Sequence, residues 1–297
     1  MIYKEIIIDG SSSFTGAWFV KSLCLSNRIS KVNYLLTKKK YYGLNKVRLD
    51  FISQNKKAIP HEKIKFGSKK YLDLIRSKNN FILCIHGAYT KNYNLEDKFS
   101  LNKSLKNNLN NIDEIFQILR NKNVKIVLSD SIFQGNQFDD YIGKYGLSKK
   151  ITNDTIFSLS IKNNIPVSRI VIPNPWGEFE EKRFIYYLIK TWEKNETPFI
   201  KYPYYIRDNI YIKNLCKLYM KLVLSSSTSI IYPTEFSVSN LQFAKFIKKN
   251  YEKFTNKKVR LDWNKNMQFD QPKIRVNGNI TREPIIDFNK FFEYYNL

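Results

Sequence analysis

Ile6-Ile7-Ile8-Asp9-Gly10-Ser11-Ser12-Ser13-Phe14-Thr15-Gly16-Ala17-Trp18-Phe19 is the stretch that decides the fold. A β-branched run gives way to small residues and then to apolar positions spaced for a helix. That is the strand, turn and helix start of a phosphate-binding first βαβ unit. In such a turn one glycine permits the tight bend, a second lets the backbone approach a pyrophosphate, and a third packs helix on strand. The helix N-terminus then faces the phosphates. Gly10 and Gly16 take the outer roles, and Ser13 stands where the middle glycine is expected. A serine is small and can donate its hydroxyl to a phosphate, so Ser12, Ser13, Phe14 and Thr15 are, with the two glycines, the expected cofactor contacts. A glycine-flanked turn into a helix also occurs in α/β proteins without a cofactor, and the loop alone leaves both readings open.

Outward from this loop, short β-branched or apolar runs alternate with longer helical patterns. Strands are expected at 5–9, 32–37, 63–66, 81–86, 125–129 and 167–172, and helices at 14–26, 105–120 and 144–163. This alternation predicts an α/β fold with a Rossmann-type doubly wound parallel sheet. Residues 1–172 would form the dinucleotide-binding domain, and 173–297 a smaller substrate-binding α/β region. In the latter, 173–177 reads as a loop, 183–193 and 215–224 as helices, 202–208 as turn-rich, and 288–295 as a short terminal helix. An NAD site expects an acid at the end of the second strand to hold the ribose hydroxyls, whereas an NADP site tolerates or wants a cation. Thr37-Lys38-Lys39-Lys40 stands there, so NADPH is favoured over NADH, with Lys38 and Lys39 as its contacts. The bland alternative is a solvated lysine run.

Composition bounds the remaining choices. At 297 residues, with 43% hydrophobic and 15% aromatic content, the chain can bury a sizeable core, which excludes disorder. No apolar run is long enough to span a bilayer, and the N-terminus lacks the pattern of a signal peptide, so a soluble cytoplasmic protein is expected. Cys24, Cys84 and Cys216 lie far apart without metal-ligand spacing; no metal site or disulfide framework is expected, and all three read as buried small apolar residues. The net charge is +24, but the doublets at 56–57, 69–70, 149–150, 248–249 and 257–258 are scattered. They read as solvated surface charge and not as a nucleic-acid face. Abundant Lys, Asn and Ile also suggest a compositional bias.

The chemistry is concentrated in Tyr145-Gly146-Leu147-Ser148-Lys149 at the start of an expected helix. A spacing of four puts Tyr145 and Lys149 on one face. An ammonium beside a phenol favours the phenolate, and desolvation pushes the lysine the other way, so the pair can move a proton near neutral pH. Hydride transfer at a carbinol carbon needs such a partner. Upstream, Val127-Leu128-Ser129-Asp130-Ser131-Ile132-Phe133-Gln134-Gly135 is an apolar strand ending in hydroxyls at the sheet edge where α/β proteins bind ligands.

With these motifs the chain resembles an extended short-chain dehydrogenase/reductase of the NAD-dependent epimerase/dehydratase group, which acts on nucleotide sugars. Within that group it most resembles abequose- or paratose-type 4-ketoreductases. The resemblance implies a catalytic triad of Ser129, Tyr145 and Lys149, with Asp130 and Phe133 continuing a Thr-Asp-x-Val-Phe-like pattern. It further implies Asn107 as the helix asparagine of a proton relay. Pro173-Asn174-Pro175-Trp176-Gly177 is similar to the family's Asn-Val-Tyr-Gly loop, and 206–212 to its Arg-Asp-Phe-Ile-x-Val segment. Asp130, Ser131, Asn174, Arg207 and Arg275 are then the implied substrate contacts, Arg207 and Arg275 at the diphosphate. Two departures stand out: only 16 residues separate Ser129 from Tyr145, and Lys213-Asn214 replace a usual acid. A homodimer built on 105–120 and 144–163 is also implied.

The expected activity is NADPH-dependent reduction of a nucleotide-linked 4-keto-6-deoxy sugar for a surface polysaccharide. The alternatives are an NAD-dependent nucleotide-sugar epimerase or dehydratase, and a catalytically degenerate fold that binds RNA or a protein partner. Against dehydration, the usual Asp-Glu pair reads Asp130-Ser131, and a serine is too weakly basic to take a carbon-bound proton unaided.

Overall fold

The computed structural model describes residues 5–93, 95–135, 143–266, 269 and 272–295. In chain order the first part runs β1 (Glu5–Ile8), α1 (Phe14–Cys24), β2 (Lys31–Leu36), α2 (Gly43–Ser53), β3 (Ala58–Glu62), α3 (Lys69–Arg76), β4 (Asn80–Ile85), α4 (Leu101–Asn108), α5 (Ile112–Leu119), β5 (Asn123–Ser131), α6 (Lys144–Lys162) and β6 (Val167–Ile172). There follow β7 (Asn174–Trp176), α7 (Phe184–Glu193), β8 (Phe199–Ile200), β9 (Ile206–Tyr211), α8 (Ile212–Leu224), β10 (Ser229–Ile231), β11 (Phe236–Ser239), α9 (Asn240–Thr255), β12 (Asp262–Trp263), β13 (Ile274–Arg275) and α10 (Phe288–Glu293).

Seven parallel strands form the main sheet in the order β10-β6-β5-β4-β1-β2-β3, flanked by helices, which is the Rossmann-like α/β fold. Ile6 to Ile8, Phe81 to Cys84 and Val124 to Leu128 are buried along nearly their whole length, as strands covered on both faces must be. Strand order reverses between β1 and β4. The crevice at such a reversal, outside the carboxyl ends of the strands, is where open α/β sheets take ligands. Gly10 follows β1 and His86 follows β4 at that edge.

The chain divides into two compact units. The first comprises 1–134, 142–172 and 215–231, and the second 135–141, 173–214 and 232–297. A single boundary after Ile172 does not anticipate the return: most of α8 and all of β10 belong to the first unit, where β10 extends the sheet beyond β6. Lys125 fixes this return. Its ammonium, buried within β5, donates to the carbonyls of Leu222 (2.7 Å) and Ser225 (2.6 Å) at the C-terminal end of α8, where carbonyls lack helical partners.

The second unit is built on β9. Strand β11 pairs antiparallel along one side, while β13 and β7 pair parallel with the first and second halves of the other. Residues 173–177, expected as a loop, thus contain a strand. An aromatic core of Trp176, Phe243, Phe246, Phe291 and Phe292 is buried beneath it.

The expected helix at 105–120 is two helices. Asn111 takes a left-handed conformation (φ 51°), and its side-chain amide donates to Gly67 O at 2.8 Å, tying the break to the turn after β3. The third strand is Ala58–Glu62, ahead of the expected 63–66, because Lys63 turns left-handed and ends the pairing with β2.

Candidate active site

At the carboxyl end of β1 the backbone is drawn tight. Gly10 has φ +66°, and a Cβ there would lie 2.8 Å from the backbone of Gly87; a Cβ on Gly16 would lie 2.2 Å from Gly10 O. Both positions therefore require glycine. Ser13 does not, since its φ is −75°: it is the N-cap of α1, accepting from Gly16 N at 3.1 Å and donating to Gly10 O at 2.8 Å. Its one proton is thus directed within the loop, and Ser13 closes the turn from inside. Ser11 does similar work, donating to Ile8 O at 3.2 Å. Arg48 of α2, almost fully buried, donates to Ser12 O at 3.4 Å and lies over the Phe14 ring. This close-walled turn at a helix N-terminus fits a dinucleotide pyrophosphate, which needs backbone to come near it.

His86 is a member of the site that sequence reading passed over. Its Nε2 lies 3.2 Å from Ser13 Oγ and 3.0 Å from Thr15 Oγ1, so the end of β4 buttresses the first turn of α1. Burial, helped by the Lys149 charge, pushes its imidazole down to about 3, so it is neutral. Beside it, Asp9 Oδ1 accepts from the backbone N–H groups of His86 and Gly87, each at 2.6 Å. Burial raises the Asp9 carboxyl pKa although those bonds oppose the shift. One of only two histidines in the chain, next to a glycine at a strand end, was the available signal.

The residues expected to transfer a proton sit on α6 and β5. Lys149, 5% exposed, donates from Nζ to Ser129 O at 2.7 Å. Burial lowers its pKa and Arg169 pushes the same way, while the charges of Asp130 and Asp9 hold it up. Ser129 Oγ is buried, and among the described residues the Tyr219 hydroxyl is the polar group that interacts with it. Tyr145, one turn before Lys149, is half-buried among the rings of Tyr93, Phe99 and Phe133. Between them Gly146 lets α6 lie on the turn at Ile132–Gln134: a Cβ there would stand 1.7 Å from Phe133 O.

Arg169 of β6 holds these elements together and was also missed. Its Nε donates to Asp130 Oδ2 (2.6 Å), one terminal nitrogen to Asp154 Oδ1 of α6 (2.8 Å) and the other to Gln134 Oε1 (2.8 Å). One guanidinium fork so ties the ends of β5 and its following turn to α6. A charged arginine in a fully buried strand was the signal, because charge in a strand buried on both faces needs a partner.

Several expected contacts stand elsewhere. Asp130 is an implied substrate contact, but its side chain is fully buried against Arg169 and faces the protein interior. Ser131 Oγ accepts from Phe133 N and caps the turn. Asn107 is exposed, its amide on Lys103 O of its own helix. The buried asparagine is Asn108, which accepts from Tyr89 N at 3.0 Å and donates to Thr152 Oγ1 of α6 at 3.4 Å. Ser100 caps α4 and sets a helical phase that turns Ser104 and Asn108 inward. Lys38 and Lys39 are exposed after β2, where Lys38 N donates to Tyr41 OH.

In the second unit, Arg207 and Arg275 are register partners on β9 and β13. Arg275 is buried, and Arg207 stacks on the Tyr205 ring while donating to Ile206, Pro272 and Lys273 carbonyls. Asn174 donates to Asn209 Oδ1 at 2.7 Å. The missing acid at Lys213-Asn214 is supplied from elsewhere: Lys213 pairs with Glu178 at 2.6 Å, and Asn214 donates to Glu235 at 2.6 Å. The three cysteines are free and buried. Among the described residues no helix is long and apolar enough to cross a membrane, and no group of His, Cys, Asp or Glu is placed to hold a metal ion.

Comparison with solved structures places this architecture. The chain has the fold of nucleotide-sugar epimerases. The UDP-glucuronic acid 4-epimerase of Bacillus cereus, solved with UDP-glucuronic acid and NAD, superimposes with a TM-score of 0.72 at 11% identity, covering 98% of this chain and 97% of that one. UDP-glucose 4-epimerase of Thermotoga maritima gives 0.70 at 13% identity, with 98% of each chain covered. ADP-L-glycero-D-manno-heptose-6-epimerase of Helicobacter pylori gives 0.67 at 14%, over 88% of this chain and 85% of that one. No protein-family model matches the sequence, and no curated protein matches it.

Proposed function

We propose that this epimerase fold serves as a nicotinamide-dependent enzyme acting at a carbinol carbon of a nucleotide-linked sugar, with 4-epimerisation as its reaction. The observation that carries this reading is the buried Lys149 ammonium, fixed to Ser129 O one helical turn from Tyr145. Tyr145 exchanges a proton with the sugar hydroxyl. Lys149 favours the phenolate by charge, and its own lowered pKa keeps the transfer within reach of neutral pH. Ser129, whose backbone carbonyl receives Lys149 Nζ, is the hydroxyl that completes the set beside Tyr145 and Lys149. A nicotinamide cofactor, when bound, would supply the hydride acceptor and donor for this exchange. Gly10, Ser12, Phe14, Thr15 and Gly16 would hold its pyrophosphate, Ser13 shaping the turn. Arg207 and Arg275 bind the sugar nucleotide's diphosphate, assisted by Asn174.

The solved epimerases of this fold include 4-epimerases whose structures contain NAD, which supports epimerisation above the reduction favoured by sequence. A second reading, NADPH-dependent reduction of a 4-keto sugar nucleotide, keeps one specific support: the cationic end of β2, with Lys38 and Lys39 exposed and no acid in the run 37–42.

The deciding experiment measures released nicotinamide in the purified protein, then follows UDP-sugars and 4-keto sugar nucleotides with and without added NADPH. Bound NAD with interconversion of two 4-hydroxy epimers is expected. Stoichiometric NADPH consumption, weakened by Lys38→Ala/Lys39→Ala, would establish the second reading, and no turnover of any sugar nucleotide would remove both.

A further inference from the structure

Lys248 and Lys249, and Lys258 of the next basic doublet, contribute to one groove in the second unit. Helix α9 and the segment leading into β12 enclose an open groove of about 570 Å³, lined by Lys245, Lys248, Lys249, Lys253 and Lys258, with Trp263 in its wall. Lys245, Lys249 and Lys253 recur at a spacing of four and so share one helical face, extending about 12 Å along the axis at 1.5 Å per residue. Across from them, the chain leaves α9 through left-handed Asn256 and folds back.

Glu252 holds the groove open. Its Oε1 accepts from Lys248 Nζ and Val259 N, both at 2.9 Å, and Lys258 Nζ lies 3.8 Å from Oε2. These donors lower its pKa and keep it charged. One carboxylate therefore anchors the returning segment and is shared between two lysines. Lys249 meets Glu283 at the rim, 3.0 Å away. Lys245 and Lys265 lie over the Trp263 ring at 5.5 and 3.7 Å. Residues 240–266 carry eight cations and two carboxylates. The groove is thus strongly positive after its internal pairs are formed, and the cost of bringing like charges together falls when an anion enters.

We infer that this groove binds a small anion carrying several linked phosphates. Ammonium groups are compact, rotatable point charges, and several along one helical face suit an anion that carries several negative groups in a row. A nucleic-acid face would interleave several stacking aromatics along its cations. Here the lining has one, with Lys265 already close to its ring. The site is separate from the proposed catalytic residues and does not depend on their assignment.

The test titrates the intact protein with inorganic triphosphate at low salt, by calorimetry and by tryptophan fluorescence. The exposed residues are changed in Lys245→Gln/Lys253→Gln, and Lys69→Gln/Lys70→Gln on α3 serves as a charge-matched control. Saturable binding is expected that weakens about tenfold in the first variant and less than twofold in the control, with unchanged melting temperatures. No saturable binding, or equal weakening in both variants, would overturn the site. Tighter, equally Lys245/Lys253-dependent binding of a single-stranded oligonucleotide or anionic vesicles would overturn the small-anion assignment in favour of a macromolecular phosphate surface.

Discussion

Replacing Arg169 with methionine removes the guanidinium that joins Asp130, Gln134 and Asp154. The Asp130 side chain is 0% exposed, so the variant leaves a carboxylate in the interior without its cation. Breaking a buried pair from one side costs about 3–5 kcal/mol. Gln134 Oε1 also loses its donor, adding about 1 kcal/mol, whereas Asp154 is 45% exposed, retains Lys150 at 3.4 Å and adds little. The sum, about 4–6 kcal/mol, falls on a unit of about 180 residues, where each kcal/mol lowers the melting temperature by about 2–4 °C. Calorimetry should therefore record a fall of roughly 8–24 °C. The double variant Arg169→Met/Asp130→Asn removes the stranded charge and should recover a large part of it. Because the Arg169 charge depresses the Lys149 pKa, any limb of the pH–rate profile that follows Lys149 should move to higher pH. A melting temperature within 2 °C of the parent, or strictly additive effects of the two substitutions, would refute the network as the clamp on the site.

Tyr145→Phe should leave melting and nicotinamide binding near parental values and lower turnover by about a hundred- to ten-thousand-fold, and full activity would remove the phenol from the mechanism. Gly16→Ala places a Cβ 2.2 Å from Gly10 O, so titration should show weakened cofactor binding; parental affinity would show that the turn is not the pyrophosphate cradle. His86 is neutral when folded, with its pKa near 3 against an ordinary 6.5, so its contribution to stability is full above pH 6.5 and lost as pH falls toward 3. Between pH 7 and 5 that loss is about 1–2 kcal/mol, and denaturant titrations of parent and His86→Gln should diverge accordingly; parallel curves would contradict a buried neutral imidazole.

The parallel sheet was legible because its strands carry unbroken apolar runs, and the Gly10/Gly16 turn because the backbone there tolerates no side chain. Tyr145 and Lys149 announce themselves by a local spacing that a helix converts directly into proximity. What stayed hidden depends on partners distant in the chain. Nothing local to Asn111 says that Gly67 O will take its amide and break the helix, and Asn107 was implied by resemblance whereas the phase set by the Ser100 cap turns Asn108 inward. Asp130 resembles a ligand contact until Arg169, 39 residues on, claims it. The acid absent at Lys213-Asn214 is present in three dimensions as Glu178 and Glu235. Helix α9 was not among the expected elements, although Ser239 and Gln242 form a capping box ahead of the buried Phe243, Phe246 and Ile247.

The return of residues 215–231 to the first unit has a consequence for biosynthesis. When residue 172 has emerged from the ribosome, β6 is an open edge of a parallel sheet, and Lys125 has an ammonium in the interior with neither Leu222 nor Ser225 carbonyl to receive it. Phe19 likewise waits for Tyr219, the ring it stacks on at 3.8 Å. At about 5–20 residues per second the missing 59 residues take several seconds to appear, and during that interval the nascent sheet presents an unpaired strand to its neighbours. Synthesis arrested between 172 and 231 should therefore yield chains captured by chaperones or lost to aggregation, while arrest shortly after 231 should yield a protease-resistant first unit.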